Sequence, residues 1–321
     1  MSKIALGTWA WGAGAFGGDA VFGSKTDVEN LKPVFDAAMK AGLNLWDTAT
    51  VFGMGESEKI LGTFIAGGKL WEGASVGIKR EMVEVSTKFT PQLAEMFDNS
   101  VEKMADASIE RMGCSYIDIY WIHNPMDVER WTPGLIPLLQ SGKVKRVGVS
   151  NHNIKEIQRA NEILGEAGFK VSAVQNHFSL LYRSSEKGGV LDYCKENGIE
   201  FWAYMVLEQG ALSGKYNKEN PLPAESDRGK KYNPILPQLE ALTNEMTAIG
   251  QKYGASCSQI GIAWAIAKGT LPIIGATKVR HVVEAAEAAK IQLTAEEISK
   301  LEALADATGI DTRGGWEHSM E

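Results

Sequence analysis

Short runs of strand-forming residues alternate with amphipathic helical segments along the whole chain, about eight of each. Alternation of this kind predicts parallel βαβ units, and eight such units close into a barrel. No change of composition marks a linker between domains. We therefore predict a single α/β domain over residues 1–321, with the architecture of a parallel, eight-stranded (β/α)8 TIM barrel.

Local signals set the bounds of several elements. Thr26 followed by Glu29 predicts a capping box at the start of a helix that Gly42 ends. Residues 67–79 are predicted to form a surface loop or hairpin, and residues 208–237 a long loop. The other predicted helix starts are Thr90–Pro91, with a helical region to Met112, Ser256 with Gln259, and Thr294 with Glu297. The predicted strands are Ile4–Trp9, Leu43–Asp47, Val83–Lys88, Ile117–Ile122, Lys145–Val149, Val171–Val174, Ile199–Tyr204 and Leu271–Ile274.

Three of the predicted strand segments end in a polar side chain capable of acid–base or electrostatic chemistry. Asp47 closes LNLWD, Lys88 closes VEVSTK and His123 closes YIDIYWIH. In a parallel barrel, the C-terminal ends of the strands meet at one rim, where the βα loops build active sites. We therefore expect these three residues to lie together at the C-terminal rim and to form the active site.

A glycine pattern near the N-terminus has the outline of a dinucleotide-binding turn. Gly12, Gly14 and Gly17 spell GxGxxG after the first strand, and Asp47 ends the next one. In a Rossmann fold, the pyrophosphate binds at a helix that begins directly after the glycines. Because the next helix is predicted some ten residues later, we interpret this segment as a loop above the barrel mouth.

Composition limits the classes of partner. A net charge of −7 without a basic stripe argues against nucleic acid. The three cysteines are far apart and form no CxxC pair, which is typical of a reducing compartment. The N-terminus lacks the pattern of a signal peptide, and no apolar run reaches the ~20 residues that cross a bilayer. The sequence thus predicts a soluble cytoplasmic protein with no membrane partner.

Several motifs, in order, closely resemble those of the aldo-keto reductase superfamily. They run from GTW at Gly7 to IIGATK at Ile273 and so cover nearly the whole chain. The matching segments are LNLWDTA–FG–GESEKILG, STKF, YIDIYWIHNP, GKVKRVGVSN, AVQNHFSLLYR, WAY and ALSGKY. The resemblance implies a (β/α)8 barrel that binds NADPH across its C-terminal rim. It also implies reduction of an aldehyde or ketone to an alcohol, or the reverse.

The resemblance assigns catalytic roles, with one departure. In the family, a lysine paired with an aspartate lowers the pKa of a tyrosine that protonates the carbonyl oxygen, and a histidine orients the carbonyl. Asp47, Lys88 and His123 match three of these positions, but Phe52 stands where the family has the tyrosine. Phenylalanine has no proton to donate. Because general acid catalysis contributes ~10²–10⁴ in rate, we expect impaired activity.

Three interpretations of Phe52 remain open from the sequence. The chain is an active reductase in which phenylalanine has replaced the tyrosine, or a natural reductase whose proton comes from His123 or from water relayed by Lys88. In the third interpretation it binds the cofactor without turnover, as a sensor or regulatory subunit similar to the potassium-channel β subunits. A barrel enzyme that handles phosphate without a nicotinamide is a further class.

The resemblance also implies which residues bind NADPH or NADP+. Ser150, Asn151 and Gln175 would bind the nicotinamide carboxamide, and Tyr204 would stack on the ring. A loop after the seventh strand and the helix start after the eighth would surround the phosphates, including the 2′-phosphate of NADP. The other predicted cofactor-binding residues are Leu207, Gln209, Gly210, Leu212, Gly214, Lys215, Gly275, Thr277, Lys278 and His281.

The predicted substrate pocket is aromatic. Trp9 and Trp121 are its assigned walls. Such a mouth suits a bulky or partly apolar carbonyl or alcohol, such as a sugar derivative or a steroid-like or aromatic ketone. No metal ligand is assigned, and the oligomeric state is left open.

Overall fold

The computed structural model describes residues 4–66 and 77–320. Its parallel strands close into a barrel in which each strand pairs with the next in sequence and the eighth pairs with the first. The strands are β1 (Ala5–Gly7), β2 (Leu45–Asp47), β3 (Glu84–Phe89), β4 (Ile117–Ile122), β5 (Val144–Ser150), β6 (Ala173–His177), β7 (Glu200–Tyr204) and β8 (Leu271–Gly275). The predicted (β/α)8 architecture is confirmed.

Helices surround the barrel and connect its strands. They are α1 (Gly18–Phe22), α2 (Val28–Lys40), α3 (Glu56–Ile65), α4 (Pro91–Met96), α5 (Val101–Met112), α6 (Val128–Trp131), α7 (Leu135–Gln140), α8 (Ile154–Gly165), α9 (Ser184–Lys187), α10 (Val190–Glu196), α11 (Asp227–Tyr232), α12 (Leu236–Tyr253), α13 (Cys257–Ala267), α14 (Val279–Ala288) and α15 (Ala295–Ala307). Within the described ranges, none of them combines the length and apolar character needed to cross a membrane.

Short 3-10 turns interrupt the connections. They lie at Phe52–Gly55, Arg80–Met82, Thr132–Gly134, Glu208–Gly210 and Asn233–Ile235. The long loop predicted at 208–237 therefore contains two of these turns and helix α11. Most of the segment predicted as a loop or hairpin at 67–79 lies outside the described residues.

The barrel interior is filled with side chains. Trp121 from β4 and Trp202 from β7 meet there, with ring centroids 5.0 Å apart. The buried residues that complete this inner cluster are Ala5, Leu45, Ile119 and Ala173. The cluster forms a solid floor beneath the C-terminal rim, so ligands are limited to the mouth above it.

Helix α2 is capped by a different residue than predicted. Asp27 is the N-cap, its carboxylate accepts from the main-chain N–H of Asn30 at 2.9 Å, and Asn30 bonds back to Asp27. The hydroxyl of Thr26 instead donates to the Ala10 carbonyl oxygen and accepts from the Gly12 N–H. The Thr26 prediction is therefore wrong, because this side chain joins the loop after β1 to the segment that precedes α2.

One other local prediction needs correction, and three predicted helix starts are confirmed. The region from Thr90 to Met112 is two helices, because α4 ends at Met96 and α5 begins after its own cap, Ser100. Thr90 and Pro91 are the N-cap and first residue of α4, as predicted, although the Thr90 side chain makes no capping hydrogen bond. The predicted capping boxes at the starts of α13 and α15 are confirmed.

The glycine-rich loop after β1 carries a short helix that the sequence did not predict. Helix α1 begins directly after Gly17, so the next helix does not start some ten residues later, as predicted. A Rossmann fold is nevertheless excluded, since β1 pairs with β2 and β8 in a closed barrel. Gly18 packs so closely that an added Cβ would lie 2.2 Å from the Ala10 carbonyl oxygen.

Candidate active site at the barrel mouth

Asp47 and Lys88 form a buried ion pair at the ends of β2 and β3. Their carboxylate and ammonium groups are 2.6 Å apart, and the side chains are only 5% and 1% exposed. Lys88 also donates to the Thr48 carbonyl oxygen at 2.8 Å, and Ser86 donates to Asp47 at 2.6 Å. Burial lowers the pKa of Lys88, while the charge of Asp47 opposes that shift. The predicted pairing is present.

His123 follows β4 on the same rim. Its main-chain N–H donates to the Phe89 carbonyl oxygen, and its Nδ1 lies 3.0 Å from the Thr90 hydroxyl. Burial, with the positive charge of Lys88, lowers the pKa of His123 to about 3. The ring is therefore neutral at pH 7 and fixed at Nδ1, which leaves Nε2 for a ligand.

Phe52 lies between these residues and the outer mouth. Its ring stacks on Trp9 with centroids 5.6 Å apart, and the Lys88 ammonium is 5.3 Å from its centroid. The His123 ring meets it edge-on at 6.3 Å. An added Cβ at Gly53, whose φ is 59°, would come within 2.8 Å of a main-chain oxygen, so the turn that carries Phe52 is tightly held. Phe52 thus lies beside Lys88 and His123 and carries no hydroxyl.

The predicted carboxamide-binding residues form a row beside the ion pair. Ser150 donates to the Gln175 carbonyl oxygen at 2.6 Å, and the Gln175 amide donates to Asp47 at 3.2 Å. Asn151, with a φ of 61°, donates to the His123 carbonyl oxygen at 2.9 Å. The structure therefore brings these residues together with the catalytic candidates.

The Tyr204 hydroxyl has two acceptors for one hydrogen. It lies 2.6 Å from Oδ1 of Asn151 and 2.6 Å from Oε1 of Glu317. A carboxylate is the stronger acceptor, so we assign the hydrogen to Glu317. Asn151 Oδ1 is then an acceptor without a donor from Tyr204. A carboxamide N–H₂ group would satisfy it, and the site fits a nicotinamide amide in this respect.

Cationic side chains converge at the start of α14. Lys278 is the N-cap residue and offers no capping side chain, so first-turn N–H groups lack a side-chain cap. Burial lowers the pKa of His281 to about 4, and the charges of Arg280, Lys278 and Lys215 add to the shift. Thr277 and Lys278 also line a cleft shared with Lys25. Uncapped N–H groups beside clustered cations fit a phosphate.

The loop after β7 contains several residues in the left-handed backbone region. Gln209, Gly210 and Gly214 all have positive φ values, of 53°, 102° and 71°. Lys215 is exposed, whereas the Leu212 side chain is fully buried. The predicted contact of Leu212 with the cofactor is therefore not supported, because the whole residue is buried. The partly buried Leu207 packs against the core, and Gly275 is exposed at the end of β8.

Aromatic rings frame the outer mouth. Trp9 meets Phe22 edge-on at 5.5 Å and Trp316 edge-on at 6.2 Å, in addition to its stack on Phe52. Trp121 has no exposed surface and donates from its indole to Ser86, below the rim. It therefore does not line the pocket as predicted, because its strand position points it into the barrel interior.

The comparison with known families decides the classification. The model of the Aldo/keto reductase family matches residues 3–306. The chain belongs to the aldo/keto reductase family. Membership places it among oxidoreductases that act on carbonyl compounds.

Relatives of this aldo/keto reductase cover most of its length. It is 32% identical over 313 residues to the chloroplastic pyridoxal reductase of Arabidopsis thaliana, covering 94% of this chain and 82% of that protein. The glycerol dehydrogenase of Gluconobacter oxydans has a similar structure, with a TM-score of 0.75 and 24% identity. The match covers 98% of this chain and 95% of that protein. An aldo-keto reductase of Klebsiella pneumoniae in complex with NADPH is also similar in structure, with a TM-score of 0.73 and 22% identity. The match covers 99% of this chain and 95% of that one. The two structural likenesses support the fold.

The C-terminal residues of this aldo/keto reductase also contribute to the barrel mouth, and no sequence motif predicted this. Residues 311–320, here called the C-terminal tail, place Glu317 3.1 Å from Nδ1 of His177, whose Nε2 lies 2.8 Å from Glu208. Burial alone would lower the pKa of His177, but Glu208 and Glu317 raise it to about 9. The ring is thus an imidazolium at pH 7. No periodicity or spacing signals a contact across 140 residues.

Proposed function

We propose that this chain interconverts an aldehyde or ketone and an alcohol with NADP(H), at a site where Phe52 replaces the general acid. The observation that carries the proposal is the buried Asp47–Lys88 pair, joined through Gln175 to the predicted carboxamide row. NADPH, when bound, supplies the hydride. The test is cofactor oxidation with a panel of aldehydes and ketones, and its absence with every substrate would count against the proposal.

His123 acts in this scheme as a hydrogen-bond donor. With a pKa near 3, it is neutral at working pH and has no imidazolium proton to transfer. Its Nδ1 contact to Thr90 supports an Nε2–H tautomer that can orient a carbonyl oxygen, with the threonine hydroxyl donating. This geometry favours a source other than His123 for the proton that the carbonyl oxygen must gain.

Lys88 is the better candidate for that source. Among the described residues, Asp47 and Thr48 take two of its three N–H groups. The third N–H is left for a water that reaches the substrate past the Phe52 ring. Lys88→Met should therefore abolish residual turnover, whereas His123→Gln should retain some with a raised KM. The reverse pattern would assign the proton to His123.

NADP rather than NAD is the proposed cofactor. The supporting observation is the convergence of Lys215, Lys278 and Arg280 on His281 at the start of α14. A 2′-phosphate supplies the negative charge that such a cluster lacks. The NADPH-bound Klebsiella pneumoniae structure shares this fold. Parallel titrations with NADPH and NADH test this proposal, and equal affinities would contradict it.

An aromatic or partly apolar aldehyde is the proposed substrate. Trp9, Phe22, Phe52 and Trp316 present ring surfaces around the mouth, and flat apolar rings pack well against such surfaces. The Arabidopsis thaliana relative is a pyridoxal reductase, so pyridoxal belongs in the panel. Aliphatic aldehydes of similar reactivity are the control, and a preference for them would refute this substrate class.

The alternative is a cofactor-binding sensor or regulatory subunit with little or no turnover. One observation favours it: the Phe52 ring contacts Trp9 and Lys88 at the proposed acid position but carries no hydroxyl that could donate a proton. Under this alternative NADPH binds but no carbonyl is reduced, and restoring the hydroxyl in Phe52→Tyr leaves the rate unchanged.

A further inference from the structure

The C-terminal tail brings a carboxylate to the mouth next to Tyr204. Glu317 accepts from the Tyr204 hydroxyl at 2.6 Å, contacts His177 at 3.1 Å and accepts from the Gly314 N–H at 2.9 Å. Its side chain is 1% exposed. Trp316 adds an indole N–H that donates to the Tyr204 oxygen at 3.2 Å. The tail is therefore fixed in place beside the expected nicotinamide-stacking ring.

The charges around His177 do not balance. One imidazolium lies between two carboxylates, Glu208 and Glu317, both nearly fully buried, which leaves one net negative charge. Burial acts to raise the pKa of both glutamates, but the contacts with His177 hold both below the usual value, so both are ionised. Among the described residues, neither carboxylate pairs with a lysine or arginine side chain.

Tyrosine rings complete the surroundings of His177. Tyr182 and Tyr204 stack on the imidazolium at 4.4 and 5.5 Å, and Tyr232 donates to Glu208 at 2.6 Å. Burial raises the pKa of Tyr204 and Tyr232 well above the usual value, and the nearby carboxylates add to the effect, so both remain neutral phenols. The excess negative charge of the cluster is not cancelled by either ring.

Tyr204 transmits this charge toward the mouth. His177 covers one face of its ring, so a planar ligand has the opposite face. Donating its hydrogen to a carboxylate increases electron density in the phenol ring, which favours stacking with a cation. The oxidised nicotinamide ring carries a positive charge, and the reduced ring is neutral. A fixed negative charge therefore acts on the two redox forms differently.

We propose that Glu317 is a positioning residue whose charge, acting through Tyr204, makes the nicotinamide site prefer NADP+ over NADPH. The inference rests on the proposed function, because it takes Tyr204 as the ring that stacks on nicotinamide. Glu317 does not touch the reacting atoms. Its effect belongs to cofactor binding and appears as a ratio of two dissociation constants.

The experiment compares those constants in the full chain and in Glu317→Gln. We expect the Kd for NADP+, measured by calorimetry, to rise roughly tenfold, because the variant removes an attraction between the carboxylate and the cationic ring. The Kd for NADPH should stay within about twofold. Glu317→Asp keeps the charge and should keep the original ratio, which separates charge from shape.

A matched control replaces a carboxylate that contacts the tail at a different residue. Glu156 pairs with His318 of the tail at 3.1 Å, and Glu156→Gln keeps its main-chain capping contact. This variant should leave the NADP+ to NADPH ratio unchanged. Equal weakening of both forms in Glu317→Gln, or no change in either, would overturn the inference. If the unaltered chain binds neither form, the proposed function fails instead.

Discussion

Two buried groups of ionisable side chains flank the barrel mouth, and they differ in charge and in construction. Asp47 and Lys88 come from neighbouring strands and neutralise each other at 2.6 Å. His177, Glu208 and Glu317 come from a strand, a loop and the C-terminal tail, and they retain one negative charge. The first group lies with the candidate catalytic residues, and the second lies behind the expected cofactor ring.

The two groups are expected to affect different properties of the protein. Strand ends in a barrel are rigid, so the Asp47–Lys88 geometry depends little on the rest of the chain. The second group depends on a tail whose contacts join it to distant parts of the chain, including Trp316 against Trp9 and His318 against Glu156. Substitutions in the pair should therefore change turnover and folding, and substitutions in the cluster should change binding and pH dependence.

The largest expected effect comes from adding a proton donor at Phe52. Phe52→Tyr places a hydroxyl near the Lys88 ammonium, and we expect kcat to rise by ~10²–10⁴ because general acid catalysis is regained. Steady-state oxidation of NADPH with an aromatic aldehyde measures it. Phe97→Tyr, which adds a hydroxyl to the exposed ring that follows α4, is the control and should leave kcat unchanged. A flat rate in Phe52→Tyr with NADPH bound would support the sensor alternative.

Breaking the ion pair should cost stability. Lys88→Met leaves Asp47 buried without its counter-charge, and we expect a loss of ~3–5 kcal/mol in the free energy of unfolding. Urea denaturation monitored by circular dichroism measures this change. Lys143→Met breaks an exposed pair with Asp106 and should have little effect, because such pairs contribute little. Equal losses in both variants would show that burial does not distinguish them.

A smaller effect, on cofactor affinity, is expected at the proposed 2′-phosphate site at the start of α14. Lys278→Met should raise the Kd for NADPH by roughly tenfold, since a charged contact to phosphate contributes about 1.5–3 kcal/mol at most. NADH binding should change little. Lys290→Met, which follows the other end of α14, is the matched control. If NADH and NADPH weaken equally, Lys278 does not read the 2′-phosphate.

The tail cluster predicts a modest dependence of stability on pH. The pKa of His177 is raised from 6.5 to about 9, so its contribution is complete below pH 6.5 and is lost as the pH rises through about 9. The free energy of unfolding should fall across this window. The slope should be shallower in His177→Gln, which has no titrating ring. Identical slopes in the two proteins would contradict the assignment.

The sequence predicts what depends on strand order and local spacing. Polar residues at strand ends gave the positions of Asp47, Lys88 and His123, because parallel strands deliver their ends to one rim. Local caps were less certain: Thr26 and Asp27 are both good N-caps, and a loop contact decides between them. Trp121 shows that an apolar residue near a strand end does not reveal which way it points.

Contacts made by the tail could not be predicted. Glu317 meets His177 across 140 residues, and no repeat, period or turn signal links the two positions. Thr90 likewise looks like a common residue before a helix, yet its hydroxyl lies within hydrogen-bond distance of His123 Nδ1. Side chains whose partners are distant in sequence carry no local signal, so a three-dimensional structure is needed to find them.

Titration of the unaltered chain with NADPH, followed by cofactor fluorescence, tests most directly whether this mouth is a nicotinamide site. We predict a saturable change, with NADPH bound more tightly than NADH. Absence of any change up to millimolar cofactor would contradict the account, since Ser150, Asn151, Gln175 and Tyr204 would then have no nicotinamide to bind.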